Sequence, residues 1–171
     1  MSDTLASEIK VSLGWLFQDA GALGNVADSS QLNYHHAFAN GTDVDQADKV
    51  WHGERILAAG ANEDLILSNL PLSLFDNSLA IALAKVKAIL LLNTATDDGE
   101  DLAVCGAASH EWQGPFVAAG DKLVVPADSC LLLLNKKSGW TVAAGSADKL
   151  RIANAGSGDI TYRIAILGTS A

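Results

Sequence analysis

Thr161-Tyr162-Arg163-Ile164-Ala165-Ile166 is the stretch that decides the fold class. Tyr162, Ile164 and Ile166 alternate with Thr161, Arg163 and Ala165, so an extended chain sorts the large apolar groups onto one face. Working back from this strand, comparable short runs predict strands over residues 9–17, 31–38, 49–57, 64–68, 86–93, 101–105, 122–125, 130–135 and 149–154. Turn residues separate them, as in Gly41-Thr42-Asp43, Gly60-Ala61-Asn62, Asp97-Asp98-Gly99, Lys137-Ser138-Gly139 and Gly156-Ser157-Gly158-Asp159. About ten short strands without an intervening linker predict an all-β chain folded as two packed sheets.

Residues 86–93 and 130–135 are apolar on both faces, which predicts central strands covered on both sides, with one face open to use as an interface. Residues 79–92 also suit a helix in composition. The turn-like Asp76-Asn77-Ser78, followed by Leu79, Ile81 and Leu83 at spacing two, favours strands instead. Asp-Lys-(Val/Leu) recurs at Asp48-Lys49-Val50, Asp121-Lys122-Leu123 and Asp148-Lys149-Leu150. It reads as a strand-entry device in which the carboxylate caps turn amides and the lysine stem lies along the sheet.

The chain has 171 residues, enough for a core that needs no covalent staple. Cys105 and Cys130 sit among small or apolar neighbours and are read as reduced core thiols. Eleven basic against 20 acidic residues give a net charge of −9, which opposes approach to a phosphate backbone and argues against nucleic acid as a partner. The first ten residues lack the basic and apolar blocks of a leader, and the apolar run 88–92 is far too short to cross a bilayer, so neither export nor a membrane partner is expected.

Searching for chemistry yields no catalytic residue and no cofactor site. Neither cysteine has a reactive context, and Cys105 and His110 lie five residues apart along a strand and turn. His35 and His36 point to opposite faces of a strand; His52 lies opposite one of them only if their strands pair, and two histidines would still lack further metal ligands. The acidic runs at 43–48 and 97–101 do not follow the calcium-loop pattern, so no metal is expected. Glu54, Glu63 and Glu111 are the glutamates to weigh for glycoside hydrolysis, Glu111 being beside Trp112. Gly156-Ser157-Gly158 precedes a strand rather than a helix and reads as a hairpin turn. The tryptophans Trp15, Trp51, Trp112 and Trp140 are core or contact residues, with Trp140 in a turn the best placed for a contact.

Several segments together resemble small virion structural proteins of tailed bacteriophages and prophages. They are Ile9-Lys10-Val11-Ser12-Leu13; Ala47-Asp48-Lys49-Val50-Trp51 running on to Arg55-Ile56-Leu57-Ala58-Ala59-Gly60; Lys85-Val86-Lys87-Ala88-Ile89; Gly139-Trp140-Thr141-Val142; and Leu150-Arg151-Ile152-Ala153-Asn154. The resemblance is one of pattern and brings no active-site residues. It implies a jelly-roll-like sandwich over residues 9–171 behind a flexible arm at 1–8, made in the host cytoplasm and carried on the capsid surface as a decoration or cement subunit. The implied partners are the major capsid protein and further copies of the chain, met through Leu5, Ile9, Trp15, Ile89, Leu91, Trp112 and Trp140. A tail-associated receptor- or carbohydrate-binding domain, with Trp112 or Trp140 stacking on a sugar, is the alternative expectation.

Overall fold

The computed structural model describes residues 4–21, 24–74 and 77–171. Its strands are β1 (Ser7–Gly21), β2 (Gly24–Phe38), β3 (Lys49–Leu57), β4 (Asn62–Ile66), β5 (Leu70–Leu74), β6 (Asn77–Ile81), β7 (Lys85–Asn93), β8 (Leu102–Val104), β9 (Leu123–Val125), β10 (Ser129–Leu134), β11 (Trp140–Thr141), β12 (Lys149–Asn154) and β13 (Ile160–Thr169). No helix occurs among the described residues. Residues 79–92 are therefore strands: β6 ends at Ile81 and β7 starts at Lys85.

The strands form an all-β, sandwich-like body. One sheet has the order β10-β7-β13-β3, with β11 extending the β10 edge of β7; the other has the order β4-β12-β8-β9. Alternation explains what each buries. Ile160, Tyr162, Ile164 and Ile166 of β13 point inward at no more than 3% exposure, and Leu150 and Ile152 of β12 meet them from the other sheet. Trp51, Ile89 and Leu91 complete one wall, and Leu65, Leu102, Val104 and Val125 the other. Fully burying each such side chain is worth roughly 1.5–3 kcal/mol, so this layer holds the sheets together. The β5–β6 ribbon adds Leu70, Leu72 and Ile81 to the same core, whereas Leu79, on the same face, remains half exposed. Of the expected turn at 76–78, residue 76 lies outside the described residues, and Asn77 and Ser78 already belong to β6.

The loops are held by buried polar side chains. Asn154 donates to the carbonyls of Leu57, Ala58 and Gly158 and accepts from the Gly156 amide. Asn93 donates to the carbonyls of Glu100 and Val125. Lys87 is buried, and its ammonium donates to the carbonyls of Asp43, Lys136 and Lys137; burial lowers its pKa. The Asp-Lys device works as expected at two of its positions: Asp121 accepts from the Ala118 amide and Asp148 from the Gly145 amide, both at 2.8 Å. Asp48 instead holds Ser170, at the far end of the chain.

Three expectations need correction. β7 is a central strand, but β10 is an edge strand, paired only with β7. Cys130 is exposed rather than buried, because it points away from the core. The strands at 9–17 and 31–38 exist but lie outside the two sheets: β1 and β2 pair only with each other. Of the arm expected at 1–8, residues 1–3 lie outside the described residues and β1 begins at Ser7. Leu5 is already fixed, its amide donating to Asn40 Oδ1 at 2.9 Å.

Candidate functional site

Antiparallel pairing fixes which side chains of the hairpin share a face. Ile9, Val11, Leu13, Trp15 and Phe17 lie opposite His36, Tyr34, Leu32, Ser30 and Asp28, and Asp19 lies opposite Val26. The other face is mainly polar. There Glu8 meets Lys10 at 2.7 Å and His35 at 3.1 Å, and Ser12 donates to Asn33 at 2.7 Å; Leu16 is the apolar exception. The apolar face is not covered. Exposure runs from 38% at Tyr34 to 69% at Val26 and Leu32, with Phe17 at 66%.

All residues over 10–19 and 26–35 are exposed, on both faces, so the ribbon stands clear of the body. Only its base is anchored. Leu5, Ile9 and Phe38 pack with Ala47, Val50, Ala88, Leu134 and Leu167 on the outer side of the larger sheet. A two-stranded ribbon is marginally stable in water by itself. Contiguous exposed apolar patches larger than a few hundred Å² are rare on soluble monomers.

The outer side of the larger sheet continues that surface. Register sets its side chains in rows across β10, β7, β13 and β3. The row Leu134-Ala88-Leu167-Val50 lies under the base of the ribbon. Next comes Leu132-Leu90-Ala165-His52, and then Cys130-Leu92-Arg163-Glu54, where Arg163 Nε meets Glu54 Oε2 at 2.6 Å. Ile9 and Val11 of the ribbon and Leu90, Leu132 and Ala165 of the sheet line one apolar groove of about 600 Å³.

The residues expected at an interface divide between these places. Leu5 and Ile9 are at the ribbon base, and Trp15 lies on the apolar face, its indole N–H donating to Asp28 at 3.3 Å. Ile89, Leu91 and Trp112 are corrected: each is at most 1% exposed and belongs to the core, so none can meet a partner. Trp112 donates to the Thr141 carbonyl at 3.0 Å, and half-buried Trp140 packs edge-on against it with ring centroids 6.1 Å apart. Trp112 therefore offers no stacking platform to a sugar. Trp51 is also buried, donating to the Pro71 carbonyl.

The carboxylates weighed for catalysis have structural partners. Glu111 accepts from the amides of Gly106 and Gly120 at 2.9–3.1 Å, Glu63 accepts from the Tyr162 hydroxyl, and Glu54 is paired with Arg163. Burial pushes the Cys105 thiol up to about 12, which keeps it protonated and unreactive. His36 faces Asp45 at 3.7 Å, while His52 lies beside Ala165 of β13 and not across from His35 or His36. Among the described residues no group of three histidine, cysteine, aspartate or glutamate side chains is placed to hold a metal ion.

Sequence reading missed Val11, Leu13, Phe17, Leu32 and Tyr34 as surface residues, along with Leu90, Leu132 and Ala165. The alternation at 9–17 was visible, but alternation alone predicts a buried face. No family model, curated protein or solved structure matches this chain.

Proposed function

We propose that this chain is a non-enzymatic structural subunit that acts by docking, and that the surface it serves is the shell of a bacteriophage virion, as a decoration or cement protein. One observation carries the docking half: the apolar face of the β1–β2 ribbon is exposed along its length and continuous with an apolar sheet face. Burying it on protein would gain about 25 cal/mol per Å² of apolar surface, while leaving it in water gains nothing. The virion half is supported by the resemblance of the segments around Ile9, Trp51, Lys85, Trp140 and Leu150 to small phage structural proteins. Its partners in this reading are the major capsid protein and other copies of itself, and its place is the capsid surface. Net negative charge suits a subunit that stays soluble and away from packaged DNA until it docks. Many weak contacts repeated over a shell supply avidity.

Purified particles from the source phage or prophage test the reading. The chain should be present in fixed stoichiometry, and a folded Leu13→Glu/Leu32→Glu variant should be lost from the particles on washing. Its absence from particles would end the virion assignment.

A further inference from the structure

We propose that the ribbon's apolar face is covered by a second copy of this chain, the β1–β2 ribbon of one copy lying face down across the outer side of the larger sheet of the next. This rests on the reading that both apolar faces are docking surfaces, and it names what docks.

The dimensions fit. Residues 11–15 of β1 span about 14 Å at roughly 3.4 Å per residue, and residues 161–165 of β13, the part of the floor beyond the row under the ribbon base, span about the same length at that rise. The four strands beneath, spaced about 4.8 Å apart, give a floor wide enough for a two-stranded ribbon. The mode of packing is already present within one copy. Leu5 and Ile9 at the ribbon base sit on the row Leu134-Ala88-Leu167-Val50, so this sheet face accepts this ribbon face. The next row, Leu132-Leu90-Ala165-His52, is apolar at three of its four positions and open at Leu90, which is 41% exposed.

Area favours a copy over an unrelated flat partner. The largest apolar patch on an ordinary monomer covers about 300–600 Å². The ribbon face, built from Val11, Leu13, Trp15, Phe17, Val26, Leu32 and Tyr34, is on the order of 800 Å², which is what each partner contributes to a standard interface. Another copy covers this face and, by its own ribbon, the bare sheet floor as well. Such a contact joins two different patches, so it is exchanged reciprocally between two copies, closes into a ring, or runs on as an open chain of copies.

Charge argues the same way. The acidic groups on the apolar face, Asp19 and Asp28, are near the ribbon tip, where insertion into a bilayer would have to begin, and a net charge of −9 opposes an anionic membrane. The outermost row of the sheet floor carries the Arg163–Glu54 pair, so the floor adds no net charge opposite them.

Cys130 makes the contact measurable, because it is exposed on the floor while Cys105 is buried. In the full chain, Leu13→Cys and Phe17→Cys, made singly, should each be joined to Cys130 by a short bismaleimide, giving covalent dimers or ladders on a denaturing gel. The products should vanish when Cys130→Ser is added. Sedimentation should show an oligomer that Leu13→Glu/Leu32→Glu reduces to single chains, with Leu132→Glu doing the same from the floor side. Circular dichroism and the unfolding midpoint establish that both variants fold. A 17.8 kDa species at every concentration would overturn the inference. So would cross-links formed only within one chain, or an oligomer indifferent to both variants. A single-chain species that still binds particles would sink this inference and leave the virion reading intact; an oligomer absent from particles would do the reverse.

Discussion

Leu13 and Leu32 stand directly opposite each other in the middle of the β1–β2 ribbon, and both are about two-thirds exposed, at 65% and 69%. In a sandwich, a cross-strand leucine pair ordinarily belongs to the core. Here it stabilises only the ribbon, at roughly 0.2–1 kcal/mol for such a pair, and leaves most of its apolar area in water.

It follows that Leu13→Ser/Leu32→Ser changes the surface and not the body. The unfolding free energy of the body should change by no more than about 0.5 kcal/mol, as for ordinary surface substitutions. Fluorescence of an apolar dye bound to the native protein should fall markedly. Paired chemical denaturation and dye titration measure the two effects.

The bridge between Asp64 and Arg151 makes stability depend on acid. Arg151 donates to both carboxylate oxygens, at 2.7 and 3.1 Å, and these hydrogen bonds hold the Asp64 carboxyl below its ordinary value of 3.8, against the opposing effect of burial. A carboxyl depressed in the folded state adds stability above its unfolded value and loses it as pH falls through the folded one. Asp64→Asn should cost about 1–3 kcal/mol at neutral pH. The difference from the parent should shrink once pH drops below 3.8. Denaturant titrations at a series of pH values check this.

The two thiols should separate cleanly by reactivity. Cys130 is exposed, and Cys105 is buried with its thiol raised to about 12 by desolvation first, with nearby Glu111 adding to the rise. At pH 8 a maleimide should label one site per native chain, mapped to Cys130 by mass spectrometry, and both sites in denaturant. Self-association through the sheet floor should slow Cys130 labelling at high protein concentration.

Trp112→Ala should cost about 3–5 kcal/mol, since the indole is fully buried and its removal opens a cavity. For a chain of this size that lowers the melting temperature by roughly 10 °C. Trp140→Ala should cost distinctly less, because Trp140 is only partly buried. Gly114→Ala should also destabilise, as an added Cβ would lie 2.4 Å from the Trp112 ring. Calorimetry on the three variants orders these effects.

Much of the strand pattern was legible. The strands at Lys49–Leu57 and Lys149–Asn154 begin and end where alternation and the Asp-Lys entry place them. Roles at the surface were harder to read. Leu131 and Leu133 pack against the core while Cys130 and Leu132 face outward, yet Cys130-Leu131-Leu132-Leu133 contains no polar residue to mark which side is which. Glu111 stands out in the sequence as a candidate catalytic acid by its place beside Trp112, whereas its partners, the amides of Gly106 and Gly120, are brought to it only by the folded loops.

The alternation that decided the fold at Tyr162, Ile164 and Ile166 recurs at Ile9, Val11, Leu13, Trp15 and Phe17. By itself the sequence determined that both stretches are strands with one apolar face, because side-chain direction along an extended chain is a local property of period two. Only the tertiary structure decided that the first face lies at 0–3% exposure between two sheets while the second stands open from Val11 onward. Burial requires a second surface, and the sequence of a strand does not say whether that surface belongs to the same chain.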